Sequence, residues 1–156
     1  MTSPEPTPTK QPSTAADAAL GDAITVEHAT MYGYGFVSAH STPELNELVS
    51  QSLAEHRARR EAAIEMLTAR SLIAPVPAVG YQLPIQVKNP TDAANLAVQM
   101  ESDAAVAWRA VLERAETDGD REFAVAALTQ CAVRAARWRQ VVGTWPSTDA
   151  FPGGTE

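Results

Sequence analysis

The sequence predicts an all-α fold of four helices, arranged as two hairpins joined by a long, proline-rich crossover. Three observations carry this. Apolar residues recur at spacings of three and four over four separate stretches, the period of a helix with one buried face. Hydrophobic residues are 45% of the 156 while only 6% are aromatic, and alanine is abundant. Alanine is the strongest helix former and lets helix backbones approach closely. Residues 72–90 hold four prolines, which no long helix can accommodate.

Each element has its own justification. Residues 1–13 are rich in Pro, Ser and Thr and carry little to bury, so they are expected to form a disordered tail. The first helix runs from about Thr14, with Ser13 or Thr14 as cap, to about Ala39 on the stripe Leu20, Ile24, Glu27, Met31, Tyr34. Gly33 and Gly35 weaken it and mark either a close approach or an early end. "STPELNEL" opens the second helix, with Ser41 or Thr42 as cap and Pro43 at the first position. Its stripe is Leu45, Val49, Leu53, His56, Arg60, Ile64, Leu67, ending near Arg70.

The segment 72–90 is too apolar for a loose linker and reads as a crossover, with Leu72, Ile73, Tyr81, Leu83 and Ile85 pressed onto the helices. "NPTDAANL" starts the third helix with Asn89 as cap and Pro90 first. Two adjacent apolar lines, one through Ala94, Glu101 and Trp108 and one through Ala97, Met100 and Ala104, make it the most widely buried helix. "ETDGD" is the next turn, with Asp118 or Asp120 as cap. The fourth helix follows Ala124, Leu128, Cys131, Ala135, Trp138, Val142 and stops at Gly143. Residues 14–145 therefore form the helical domain, and 146–156 an extended tail that Trp145 and Phe151 are expected to pin. Two short-looped hairpins joined by one long crossover describe a ferritin-like four-helix bundle.

Composition excludes several classes. The net charge of −7 leaves no basic footprint for nucleic acid or an anionic membrane surface. One cysteine, Cys131, cannot build an internal disulfide framework. The N-terminal residues lack the apolar core of a secretory signal, and no run is apolar enough to span a bilayer. The expectation is a cytoplasmic protein. No phosphate-binding loop, dinucleotide fingerprint, CxxC or nucleophile elbow is present.

The unusual feature is polar residues on apolar stripes: Glu27, His56 with Arg60, Glu101, and Arg134 beside Cys131, with Gln130 on the same side. A two-metal carboxylate centre needs a Glu from each of two helices and Glu-x-x-His from the other two. Glu27, His56 and Glu101 fit part of that set, for iron or manganese. However, the residue three before His56 is Leu53, and the fourth helix offers Gln130, Cys131 and Arg134. Arginine stays protonated and opposes a dication. The favoured reading is a buried network in which Glu27 and Glu101 face Arg60 and Arg134, with His56 as hydrogen-bond partner and no cofactor. Glu55, Arg57 and Glu61 then face outward or flank, with Arg57 and Glu61 as a solvated i, i+4 pair. A third reading has Arg57, Arg59, Arg60 and Arg134 clamp a carboxylate or phosphate. Cys131 reads as a small buried hydrophobe, and Tyr34 and Trp108 as core.

"VEHATMYGYG" at 26–35, "EHRARRE" at 55–61, "YQLP" at 81–84, Glu101 and "RWR" at 137–139 together resemble the actinobacterial ferritin-like proteins grouped as a domain of unknown function. The resemblance spans about 15–145. It implies a ferritin-like bundle, no established activity, and a single pattern shared by Glu27, His56, Arg60 and Glu101. The functional expectation is a non-catalytic or ligand-binding protein with a degenerate metal site, forming a homodimer through an apolar helix face. The alternatives are a metal-dependent oxidoreductase or iron store, and a partner-binding scaffold that uses the crossover.

Overall fold

The structure, a computed structural model, describes residues 11–12 and 14–154. Among them are four α-helices, one 3-10 turn over Pro43–Leu45 and no β-strand. α1 spans Ala15–His40, α2 Asn46–Ala69, α3 Pro90–Arg114 and α4 Asp118–Val142. Apart from Gln11 and Pro12, the tail expected over 1–13 lies outside the described residues, as does Ser13.

The helix ends follow capping chemistry, with two differences from expectation. Thr14 accepts from the Asp17 N–H at 3.1 Å, and Asn89 from the Asp92 N–H at 2.8 Å. α4 is capped by Thr117, which accepts from the Asp120 N–H, rather than by Asp118 or Asp120. Those two acids lie in the first turn instead, facing the positive end of the helix dipole. Before α2, neither Ser41 nor Thr42 caps. Ser41 closes α1 by donating its hydroxyl to the Val37 carbonyl, and the 3-10 turn leads into α2. α1 does not end at its glycines: Gly33 faces α3, where a Cβ would collide with the Met100 sulfur. α4 stops at Gly143, at φ 84.

The closest pairings are α3 with α4, α1 with α3 and α1 with α2. Two apolar clusters fill the interior. One contains Leu20, Ile24, Leu67 and Trp108, the other Tyr34, Val37, Leu96 and Trp138. Each such buried side chain contributes roughly 1.5–3 kcal/mol. Glu27, His56 and Glu101 lie between the two clusters along their helices, and each is fully buried. A polar layer therefore divides the core.

α2 turns a different line inward from the expected one. Its buried residues are Val49, Ser52, His56, Arg59, Ala63 and Leu67, while Leu45, Leu53, Arg60 and Ile64 are half-buried. Leu53 and Ile64 point to the flank, and the small Ser52 and Ala63 lie on the interior line with Val49 and Leu67.

The crossover lies against the helices at several points. Leu72 is buried, and Leu83, Ile85 and Val87 pack on the second cluster. Ile73 and Tyr81 are half-buried, and the Tyr81 ring lies 5.4 Å from that of Tyr32. His28 Nε2 bonds the Pro75 carbonyl at 3.0 Å. The C-terminal segment is not pinned by its aromatics, since Trp145 is 87% and Phe151 71% exposed. Arg139 holds it, pairing with Asp149 at 2.9 Å and donating to the Ser147 carbonyl, while Gly153 sits against Ala105. Among the described residues no helix is long and apolar enough to cross a membrane.

Candidate functional site

The site is the polar layer between the two apolar clusters. α1 contributes Glu27 and Tyr34, α2 His56 and Arg59, α3 Glu101 and Trp108, and α4 Cys131 and Trp138. His56 is the centre. Its Nδ1 lies 2.6 Å from Glu27 Oε2 and its Nε2 3.1 Å from Glu101 Oε1. Arg59 Nη1 donates to the other Glu27 oxygen at 3.0 Å and to Cys131 Sγ at 3.1 Å, and Nη2 donates to Gln130 Oε1 at 3.2 Å. Trp108 Nε1 donates to Glu27 Oε1 at 2.7 Å. Tyr34 donates its hydroxyl to Glu101 Oε1 at 2.5 Å and accepts from Trp138 Nε1 at 2.9 Å.

The electrostatics follow from this geometry. Burial pulls the His56 pKa down, but Glu101 and Glu27, by charge and by hydrogen bond, outweigh it. The imidazole is raised from 6.5 to about 9 and is protonated at neutral pH. Burial pushes the Glu27 carboxyl up, and the His56 bond and charge, with Arg59 and Trp108, more than reverse this, leaving it below its ordinary value. Burial, then the Glu101 charge, pushes the Tyr34 hydroxyl well above its ordinary value, so it stays a neutral donor. Burial likewise pushes the Cys131 thiol well up despite Arg59. Two carboxylates, one imidazolium and one guanidinium sum to zero. Arg59 Nη1 also lies 3.2 Å from His56 Nδ1. Both are donors once the ring is protonated, so their approach depends on Glu27 bridging them.

The structure brings Glu27, His56 and Glu101 together but leaves Arg60 out. Arg60 lies on the flank, its side chain 23% exposed and 3.5 Å from Glu61, so the Arg57–Glu61 pair gives way to Arg60–Glu61. Arg59 takes the interior place because the buried line of α2 runs through Ser52, His56, Arg59 and Ala63, which puts Arg60 on the flank. Arg134 is buried but sits apart from the network. It clasps Glu55, Nε to Oε2 at 2.9 Å and Nη2 to Oε1 at 2.6 Å, and also reaches Gln51. Glu55 is therefore a flanking partner of α4. Tyr34, Trp108 and Trp138, placed by spacing in the core, bring their polar atoms into the network as well. A clue lay in the residue types: a buried Tyr or Trp must find a partner for its O–H or N–H.

The residues present do not fit a metal centre. A ligating histidine must present a lone pair, and both ring nitrogens of His56 face carboxylate oxygens at hydrogen-bond distance. Arg59 occupies the remaining side of Glu27. Among the described residues no group of three His, Cys, Asp or Glu side chains is placed to hold an ion.

With this geometry in view, residues 19–156 match a family described as Domain of unknown function (DUF4439). The chain belongs to this family. It is also similar to the crystal structure of a conserved hypothetical protein from Mycobacterium tuberculosis. The identity is 59% and the TM-score 0.82, over 88% of this chain and 97% of that one. No curated protein matches. The solved relative shares the helical architecture, and neither its name nor the family description states an activity.

Proposed function

We propose that this DUF4439 chain is a non-catalytic four-helix bundle of ferritin-like topology, in which a charge-neutral Glu27/His56/Arg59/Glu101 network stands where such bundles build a two-metal centre. The observation that carries this reading is the engagement of both His56 ring nitrogens by carboxylates, at 2.6 and 3.1 Å. The network sets the register of α2, which presents few large apolar residues inward: only Val49 and Leu67 among its buried positions. Paired ionic groups of this kind select one arrangement more than they add stability.

Metal analysis of the full chain, purified without a chelating tag, tests this. The expected result is iron and manganese far below one ion per chain. Two ions per chain, lost in Glu27→Ala, would establish the oxidoreductase or storage reading instead. We also propose that the chain forms a homodimer through α4, whose exposed Val125, Thr129 and Val133 form an uncharged stripe on a chain of net charge −7. Light scattering should report a dimer that Val133→Glu converts to a monomer, and a monomeric wild type refutes it.

A further inference from the structure

Between α2 and α4 runs a groove of about 250 Å³, with walls of Ala58 and Ala62 on one side, Ala126 and Ala127 on the other, and Phe123 along it. Arg59, Glu55 and Gln130 supply its polar lining. Arg59 is 96% buried by its 4% exposure, yet its Nε–H has no hydrogen-bond partner among the described residues. A buried donor on a permanent cation is costly to leave unpaired, and such an atom beside a cavity points to a missing acceptor.

The shape of that acceptor can be read from the neighbouring arginine. A guanidinium presents Nε–H and one Nη2–H along a common edge, matched to the two oxygens of a carboxylate. Arg134, bridging the same two helices, has this edge filled by Glu55, with Nε on one oxygen and Nη2 on the other. The same edge of Arg59 holds only the Gln130 amide oxygen, on Nη2 at 3.2 Å. Gln130 is exposed, and this is its only side-chain hydrogen bond among the described residues. No carboxylate lines the groove except Glu55, which is already committed to Arg134, and α4 from Phe123 to Arg134 carries no acid.

We propose that this groove binds a small aliphatic carboxylate. Its two oxygens take the Nε/Nη2 edge of Arg59 and displace Gln130, and its chain lies on the alanine walls toward Phe123. The site goes beyond the structural reading of the network: metal analysis decides that reading, and an arginine resonance decides this one.

The test is a titration of the full chain with sodium butyrate, read by the arginine Nε–H NMR signals. The Arg59 signal is identified as the one that moves in Gln130→Ala. Butyrate should shift it saturably. Ala126→Leu and Ala62→Leu, which fill the groove without touching the network, should each weaken binding at least tenfold. Gln130→Ala should tighten it severalfold by removing the competing acceptor. The proposal is overturned by no saturable shift with butyrate, by an equal shift with sodium chloride or 1-butanol, or by unchanged affinity in both leucine variants.

Discussion

Helix α4 meets α3 through alanine and tryptophan, and meets α2 through arginine. On the α3 side, Ala104, Ala105 and Trp108 pack with Ala124, Ala127 and Cys131, all buried. On the α2 side, three side-chain bridges span the gap: Arg70 to Asp120, Arg59 to Gln130 and Cys131, and Arg134 to Glu55 and Gln51. The first seam is held by close packing, where small residues allow the backbones together and any added volume is felt. The second is held by directed polar contacts across a wider space, and leaves a groove. Packing is indifferent to pH and to the screening of charge, whereas the bridged seam responds to both.

The largest effect should come from breaking the buried end of the bridged seam. Arg59→Met leaves Glu27 short of a partner, and the expected loss is about 3–5 kcal/mol in urea unfolding. A loss under about 1 kcal/mol would mean that His56 and Trp108 alone satisfy Glu27.

pH comes next. The folded-state pKa of His56 is raised from 6.5 to about 9. Its stabilising contribution is therefore complete below about pH 6.5 and is lost as pH rises through 9. This corresponds to about 3 kcal/mol over that window. Glu27 acts in the opposite direction, since its lowered pKa gives stability above about 4.5 that is lost on acidification. Unfolding free energy measured from pH 4 to 10 should therefore peak between pH 5 and 6.5. A flat profile from 6.5 to 9 would show that His56 is neutral.

The packed seam should respond to volume and not to charge. Ala104→Leu, at a fully buried alanine, should cost about 1–3 kcal/mol, with the same difference at pH 6 and pH 9. A penalty that changed with pH would show that the two seams are coupled.

The smallest effects belong to the rim. Glu55→Ala removes the partner of Arg134 at a half-buried position and should cost about 1 kcal/mol, reduced by added salt. Arg60→Met, on the flank, should stay within about 0.5 kcal/mol. The contrast between Arg59→Met and Arg60→Met is the sharpest check on which arginine faces in.

Much of the helical framework was legible in the residues. Periodic apolar spacing, Asn89 with Pro90, and Gly143 placed α1, α3 and the end of α4 to within a residue or two, while α2 starts at Asn46, three residues after Pro43, behind a 3-10 turn. The presence of Glu27, His56 and Glu101 on buried faces was legible from the same spacing, which did not hold for Arg60. The stripe of α2 misled because it followed the bulkiest apolar residues. Leu53 and Ile64 lie on the flank, whereas Ser52 and Ala63 lie inside, where two helices and the network leave little room.

By itself the sequence determined which stretches become helices, where most of them start and stop, and which acids and histidine lie inward. Those are local properties, set by propensity, capping and a period of 3.6. The tertiary structure alone decided that Arg59 and not Arg60 joins Glu27, that Arg134 turns to Glu55, and that Tyr34, Trp108 and Trp138 close the network. Those choices depend on the rotation of each helix about its axis. A turn of one residue, about 100°, exchanges one neighbouring arginine for the other, and only packing against the other helices sets that angle.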